Sequence, residues 1–288
     1  MAIFNTVPPL EAGAGISFDG ERISTAAAPR NLLDNSDFRN PVMQAGFCGN
    51  HGAYKYPVDR WFDEYGFGTF TQTAQGITVG YGTNDGYLTQ KLPDGVLQAG
   101  KTYTLAFMDF SGNIRMNSGK YTANAESIKV PVDSKIECRL RPGVVSFVAT
   151  ARSVGITWVA LYEGEYTAET LPEYQPKGYG AELAECQRYY LHGVGTRCAG
   201  SVLSDAKVVL NISTPVAFRT APSVVARNLD NVICNLGSAR VITLKSVSSV
   251  EVRTNCIVVY FNTSLAAGEL QWSTVCSYST NIDLVADL

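Results

Sequence analysis

The feature that most constrains this chain is a two-residue alternation of side chains that returns between turn signals. In "KTYTLAFMDF", Tyr103, Leu105 and Phe107 fall on one face and Thr102, Thr104 and Ala106 on the other. "GVVSFVAT" alternates Val145, Phe147 and Ala149, and "GITWVALYEG" alternates Ile156, Trp158, Ala160 and Tyr162. Period two is the signature of an extended strand with one buried face. Between the runs stand Asn84-Asp85-Gly86, Pro93-Asp94-Gly95, Ser111-Gly112-Asn113 and Arg141-Pro142-Gly143, residues suited to tight turns. Short strands so punctuated predict an antiparallel β-sandwich over residues 31–172. Trp61 and Trp158 are expected in its core.

The rest of the chain divides around that sandwich. Residues 1–30, with Pro8-Pro9 and Ala26-Ala27-Ala28-Pro29, keep no helical or strand period and read as an N-terminal arm. Residues 173–190 form a linker with Pro176, Gly178 and Gly180, followed by the helix formers of "AELAECQRYY". Leu183, Gln187 and Tyr190 lie at helical spacing on one face, and Glu182 and Glu185 are expected on the solvated side. Residues 191–288 return to runs such as "AKVVLNIS" and "NCIVVYFN", rich in Val, Ile, Thr and Tyr. The expected architecture is all-β: arm, sandwich, short linker helix and a second, smaller β-domain.

Charge narrows the function classes. Charged residues make up 17% of the chain and the net charge is −3, so no basic footprint for nucleic acid or an anionic membrane exists. No apolar run reaches the roughly 18–20 residues of a membrane span, and no secretory leader is recognisable. The seven cysteines contain no CxxC pair, which argues against a zinc site or a disulfide framework. Cys138, Cys256 and Cys276 sit in strand-like runs, where cysteine acts as a small hydrophobe.

Catalytic patterns are absent from the sequence: GxSxG, HExxH, P-loop and GxGxxG motifs do not occur. Its two histidines, His51 and His192, fall in different predicted domains. Glu163 and Glu165 are the best local carboxylate pair, but they read as an exposed strand end. The chain is therefore expected to be no enzyme, with no cofactor. Binding chemistry is richer. Aromatics crowd residues 54–87, including Tyr65 and Phe67, with Asn and Asp among them. Aromatic faces can stack on the CH patches of sugar rings while amides and carboxylates bond the hydroxyls. The candidate carbohydrate-binding residues are Tyr54, Tyr56, Tyr81, Asn84, Asp85 and Tyr87.

Two resemblances add to this reading. "NLLDNSDF", "DRW", "LQAGKTYTLAFMDF" and "ITWVALYEGEYTAETLPEY" resemble jelly-roll carbohydrate-binding modules of galactose-binding-like fold. The resemblance implies that residues 31–38 open the first strand, with Leu32, Leu33 and Phe38 in the core and Asp34–Asp37 as a turn or bulge. Such modules usually carry a Glu after that Phe, often associated with a structural calcium. Arg39 stands there instead, which weakens the case for calcium. "NLLDNSDFRNPVMQAG", "YPVDRWF", "PKGYGAELAECQRYY" and "PVAFRTAPSVV" together resemble phage and prophage tail-fibre or receptor-binding proteins.

That second resemblance implies a virion protein assembled in the bacterial host cytoplasm. Its arm would attach to other virion proteins and its head would contact host-surface polysaccharide. It also implies a homotrimer; the helix face of Leu183, Gln187 and Tyr190 is the expected oligomer interface, packing around the threefold axis. A structural head fibre or capsid decoration protein is the alternative, and a glycan depolymerase a second one. Neither nucleic acid nor membrane insertion is expected.

Overall fold

The computed structural model describes residues 16–18, 23–25, 29–46, 55–81, 84–194, 198–203, 207–228, 231–236, 238–253, 256–266, 274–277 and 281–286. The chain is nearly all β, as its alternation requires. Strands β1 (Ile16–Phe18) and β2 (Ile23–Thr25) pair as a small antiparallel hairpin.

The sandwich is built from β3 (Lys55–Val58), β4 (Trp61–Asp63), β5 (Gly68–Thr73), β6 (Gly76–Tyr81), β7 (Gly86–Lys91) and β8 (Thr102–Asp109). It is completed by β9 (Ile114–Lys120), β10 (Ile128–Pro131), β11 (Ile136–Arg141), β12 (Val144–Ala149) and β13 (Val154–Glu163). One antiparallel sheet runs β10-β11-β12-β7-β4-β3 and the other β5-β6-β13-β8-β9, a jelly-roll-like arrangement. Leu88, Leu105, Phe107, Val145 and Phe147 fill the space between them, as the two-residue period predicts. Each such side chain removed from water stabilises the fold by about 1.5–3 kcal/mol.

The segment "NLLDNSDF" lies along β13. Leu32 N donates to Leu161 O and Phe38 N to Thr157 O, both at 2.9 Å, while Val159 N donates to Ser36 O at 3.0 Å. Leu33 and Phe38 are fully buried and Leu32 packs against the same core, as expected. Asn35 and Ser36 in its polar middle are buried as well, while Asp34 and Asp37 are half-buried. Asn35 turns with φ +48°, and its amide donates to Val42 O at 3.0 Å and Asp59 O at 2.7 Å.

One expected face is corrected. Ile156, Trp158, Ala160 and Tyr162 do not share a side. Ile156 pairs with Asp109 and Trp158 with Met108, leaving Thr157 as a bulge that reverses the alternation. Ile156, Val159 and Leu161 point into the core, whereas Trp158, Ala160 and Tyr162 form a cluster on the sheet's exterior. The bulge falls where β13 exchanges β6 for residues 32–38 as its neighbour. Trp158 is still buried, because Tyr174 stacks on it at 4.6 Å with rings 3° from parallel.

The chain then forms helix α1 (Tyr179–Gln187). After it come β14 (Tyr190–Val194), β15 (Ala199–Val202), β16 (Lys207–Ser213), β17 (Ser223–Asn228) and β18 (Asn231–Leu236). The last strands are β19 (Ser238–Val252), β20 (Cys256–Thr263), β21 (Thr274–Ser277) and β22 (Asn281–Val285). Strands β15-β16-β20-β19-β18-β21 close a barrel and β14-β22-β17 form a three-stranded sheet, a second β-domain with its own core around Val208, Leu210, Val259 and Phe261. Cys138 is fully buried and Cys256 half-buried; the side chain of Cys276 lies outside the described residues.

Helix α1 also departs from expectation. It ends at Gln187, so Tyr190 belongs to β14, and its hydroxyl donates to Asp283 Oδ2 at 2.8 Å. Leu183 and Gln187 are half-buried, and the inward series is Glu182, Cys186 and Tyr189. Glu182 is therefore not solvated: its Oε2 accepts from Asn35 N at 2.7 Å, under the sandwich. Burial raises its carboxyl above the usual range, while the Asn35 bond and Lys177 act in the opposite direction.

Candidate functional site

A groove opens where the β4–β5, β6–β7 and β12–β13 loops meet at one end of the sandwich. It has a volume of about 470 Å³ and is lined by Tyr65, Phe67, Tyr81, Asn84, Asp85 and Tyr87, with Thr150 and Ala151 as the far wall. Of the predicted sugar-binding residues, Tyr81, Asn84, Asp85 and Tyr87 come together here. Tyr56 stands apart toward the sheet edge, against Phe62 at 5.7 Å, and Tyr54 lies outside the described residues.

Local chemistry explains the shape. Asp63 caps its own loop, its two carboxylate oxygens accepting from Gly66 N and Gly68 N, each at 3.0 Å. Gly66 takes φ +78°, a left-handed turn that costs glycine little. The loop so pinned presents Tyr65 and Phe67 outward, 47% and 41% exposed. Under the groove β6 and β7 approach so closely that a Cβ on Gly86 would stand 1.8 Å from the Gly80 carbonyl oxygen. Any side chain at Gly86 would push these strands apart and open the floor. In the far wall Ala151 holds φ +54°, a left-handed conformation that is uncommon away from glycine.

Tyr65 and Tyr87 meet edge to face, their ring centres 4.7 Å apart, a favoured aromatic geometry. Burial raises the Tyr87 phenol above its ordinary value; Asp85 and Tyr65 push it the same way and Arg139 and Arg141 push it back. At neutral pH it is a neutral O–H, able both to donate and to accept. Exposed ring faces, a phenol, an amide and a carboxylate thus share one open groove.

No known protein family matches this chain. No curated protein matches it in sequence. The site therefore rests on its own geometry.

Tyr65 and Phe67 complete the groove, and the aromatic crowding of residues 54–87 already signalled them. Thr150 and Ala151 had no signal, because only the fold brings the β12–β13 turn to that wall. His51 lies outside the described residues, and His192 sits far along the chain beside Asp283 at 3.0 Å. Glu163 is exposed and bonds Lys101 at 2.5 Å. Arg39, at the position associated with calcium, grips Asp37 with bonds of 2.8 and 2.7 Å. Among the described residues, no group of three or more His, Cys, Asp and Glu is arranged to hold a metal ion. No helix there is long and apolar enough to cross a membrane.

Proposed function

We propose that this protein is a non-enzymatic virion component, a phage tail fibre or receptor-binding protein, whose sandwich contacts host-surface glycans through the groove at Tyr65, Tyr81 and Tyr87. The single observation that supports the reading most is the convergence of exposed aromatic faces with Asn84 and Asp85 in one open groove. Ring stacking against sugar CH faces and hydrogen bonds from neighbouring polar groups is the chemistry such ligands need. The resemblance of "NLLDNSDFRNPVMQAG" and "AELAECQRYY" to tail-fibre proteins supplies the biological setting. In this reading residues 1–30 attach the protein to the particle and three copies assemble around the helix region. A trimeric mass in solution is expected, and a monomer at micromolar concentration would remove that part.

The test is adsorption of purified protein to host cells and to a glycan array. Wild type is expected to bind. Tyr87→Ala is expected to lose at least about tenfold in affinity, about 1.4 kcal/mol, with an unchanged melting temperature. Folded protein that binds neither cells nor any glycan would favour the alternative, a structural head fibre or decoration protein. Release of reducing ends from a bound polysaccharide would favour a depolymerase instead.

A further inference from the structure

The polar surface does not stop at Tyr87. Tyr87 and Thr89 lie on the exterior face of β7, and the strand register sets Val148 and Ser146 beside them on β12, then Glu137 and Arg139 on β11. Thr89, Val148 and Ser146 are themselves buried, so the surface here is formed by charged side chains. Across this exterior run matched charges. Arg141 holds Glu64 and donates to Ser146 Oγ at 2.7 Å, and Thr89 Oγ1 donates to Glu64 at 3.0 Å. Arg139 holds Glu137, which also takes Lys129 at 3.2 Å. Glu64, Glu137, Arg139 and Arg141 are only 16–25% exposed, so they lie along the sheet rather than project from it. This track joins the groove directly. Tyr87, which meets Tyr65 in the groove wall, stands in register with Val148 on β12 and, one strand further, with Glu137 on β11.

Resting on the glycan reading, we infer that the ligand is an uncharged oligosaccharide, seated by one end in the groove and continuing across β7, β12 and β11 over these ion pairs. Two strand spacings, about 10 Å, separate Tyr87 from β11, which leaves room for sugar beyond the ring in the groove. A sugar hydroxyl both donates and accepts, so a guanidinium locked to a carboxylate offers it fixed partners of both kinds at little ordering cost. An acidic glycan gains no such advantage. Each of these guanidiniums is already matched by a carboxylate, and an incoming anion would have to displace it and strand a charge.

The experiment is calorimetric titration of the full chain with two probe series of one to six units, neutral gluco- and galacto-oligosaccharides and oligogalacturonates. The neutral series is expected to tighten at least about tenfold from one unit to four. Arg139→Ala and, separately, Arg139→Gln are expected to weaken the four-unit ligand at least fivefold more than the one-unit ligand. Two variants guard against a fold defect in either. Equal affinity for one and four neutral units overturns the inference and leaves the glycan reading standing. Preferential, salt-sensitive binding of oligogalacturonate does the same. If folded wild type binds none of these probes and nothing on the glycan array, the glycan reading falls and this inference with it.

Discussion

Replacing Trp61 by alanine is expected to destabilise the protein by about 3–5 kcal/mol, a large share of a typical domain's stability. Trp61 is fully buried, with Phe38 edge-on at 5.3 Å and Phe147 at 6.4 Å. Alanine would leave a cavity where those rings now meet. The loss is not only volume. The indole Nε1 donates to Asn35 O at 3.0 Å and to Asp34 O at 3.2 Å, tying the segment that runs along β13 to the opposite sheet. Without it the buried Asn35 carbonyl loses this donor, which adds its own penalty, while the Asp34 carbonyl keeps Gln90 Nε2 at 2.6 Å. Trp61→Phe separates the parts: it keeps most of the packing but none of the hydrogen bonding, so its cost should be clearly smaller. Denaturant unfolding of the three proteins measures both, and a Trp61→Ala cost below about 1 kcal/mol would contradict this account of the core.

The second large effect is a dependence on pH centred on Asp59. This carboxyl is buried where sandwich, helix and second β-domain meet, and accepts from Gln44 N at 3.1 Å and Gln44 Nε2 at 2.7 Å. The same Nε2 donates to Tyr190 O at 2.8 Å, so Gln44 links Asp59 to β14. Beside it the Arg60 guanidinium lies 3.6 Å over the Tyr189 ring. Burial raises Asp59 from 3.8 to about 6, against the lowering effect of the Gln44 bonds and of His192. Because the folded value is raised, the unfolded chain releases this proton first as pH increases. The contribution to stability is fully present below about pH 4 and is lost as pH rises through about 6. A shift of about two units corresponds to about 3 kcal/mol. Glu182, also raised by burial, acts with the same sign. The stability difference between wild type and Asp59→Asn should therefore change by about that amount between pH 4 and pH 7, with wild type relatively stronger in acid. A difference flat across that range would show that the carboxylate is solvated.

The groove was partly legible before any fold was known. Tyr81, Asn84, Asp85 and Tyr87 lie within seven consecutive residues around one turn, so their meeting needs little long-range information. Tyr56 was drawn in by composition alone, yet β3 is the edge strand of its sheet, and Tyr56 packs against Phe62 instead of lining the groove. The helix face was misread for a different reason. Leu183, Gln187 and Tyr190 have helical spacing, but the backbone leaves the helix at Gln187 and Tyr190 pairs with Val285 in a sheet. Sequence period reports a face only where the element continues.

By itself the sequence determined the all-β class, the sandwich core at Phe107, Val145 and Phe147, and the turns, because alternation and turn chemistry act between near neighbours. Only the tertiary structure decided which face each part of β13 presents, since the bulge at Thr157 arises where its strand partner changes. Only it buried Glu182, whose partner Asn35 lies 147 residues away. And only it laid the Glu64–Arg141 and Glu137–Arg139 pairs beside Tyr87, because that adjacency is set by the order in which β4, β7, β12 and β11 pair across the sheet.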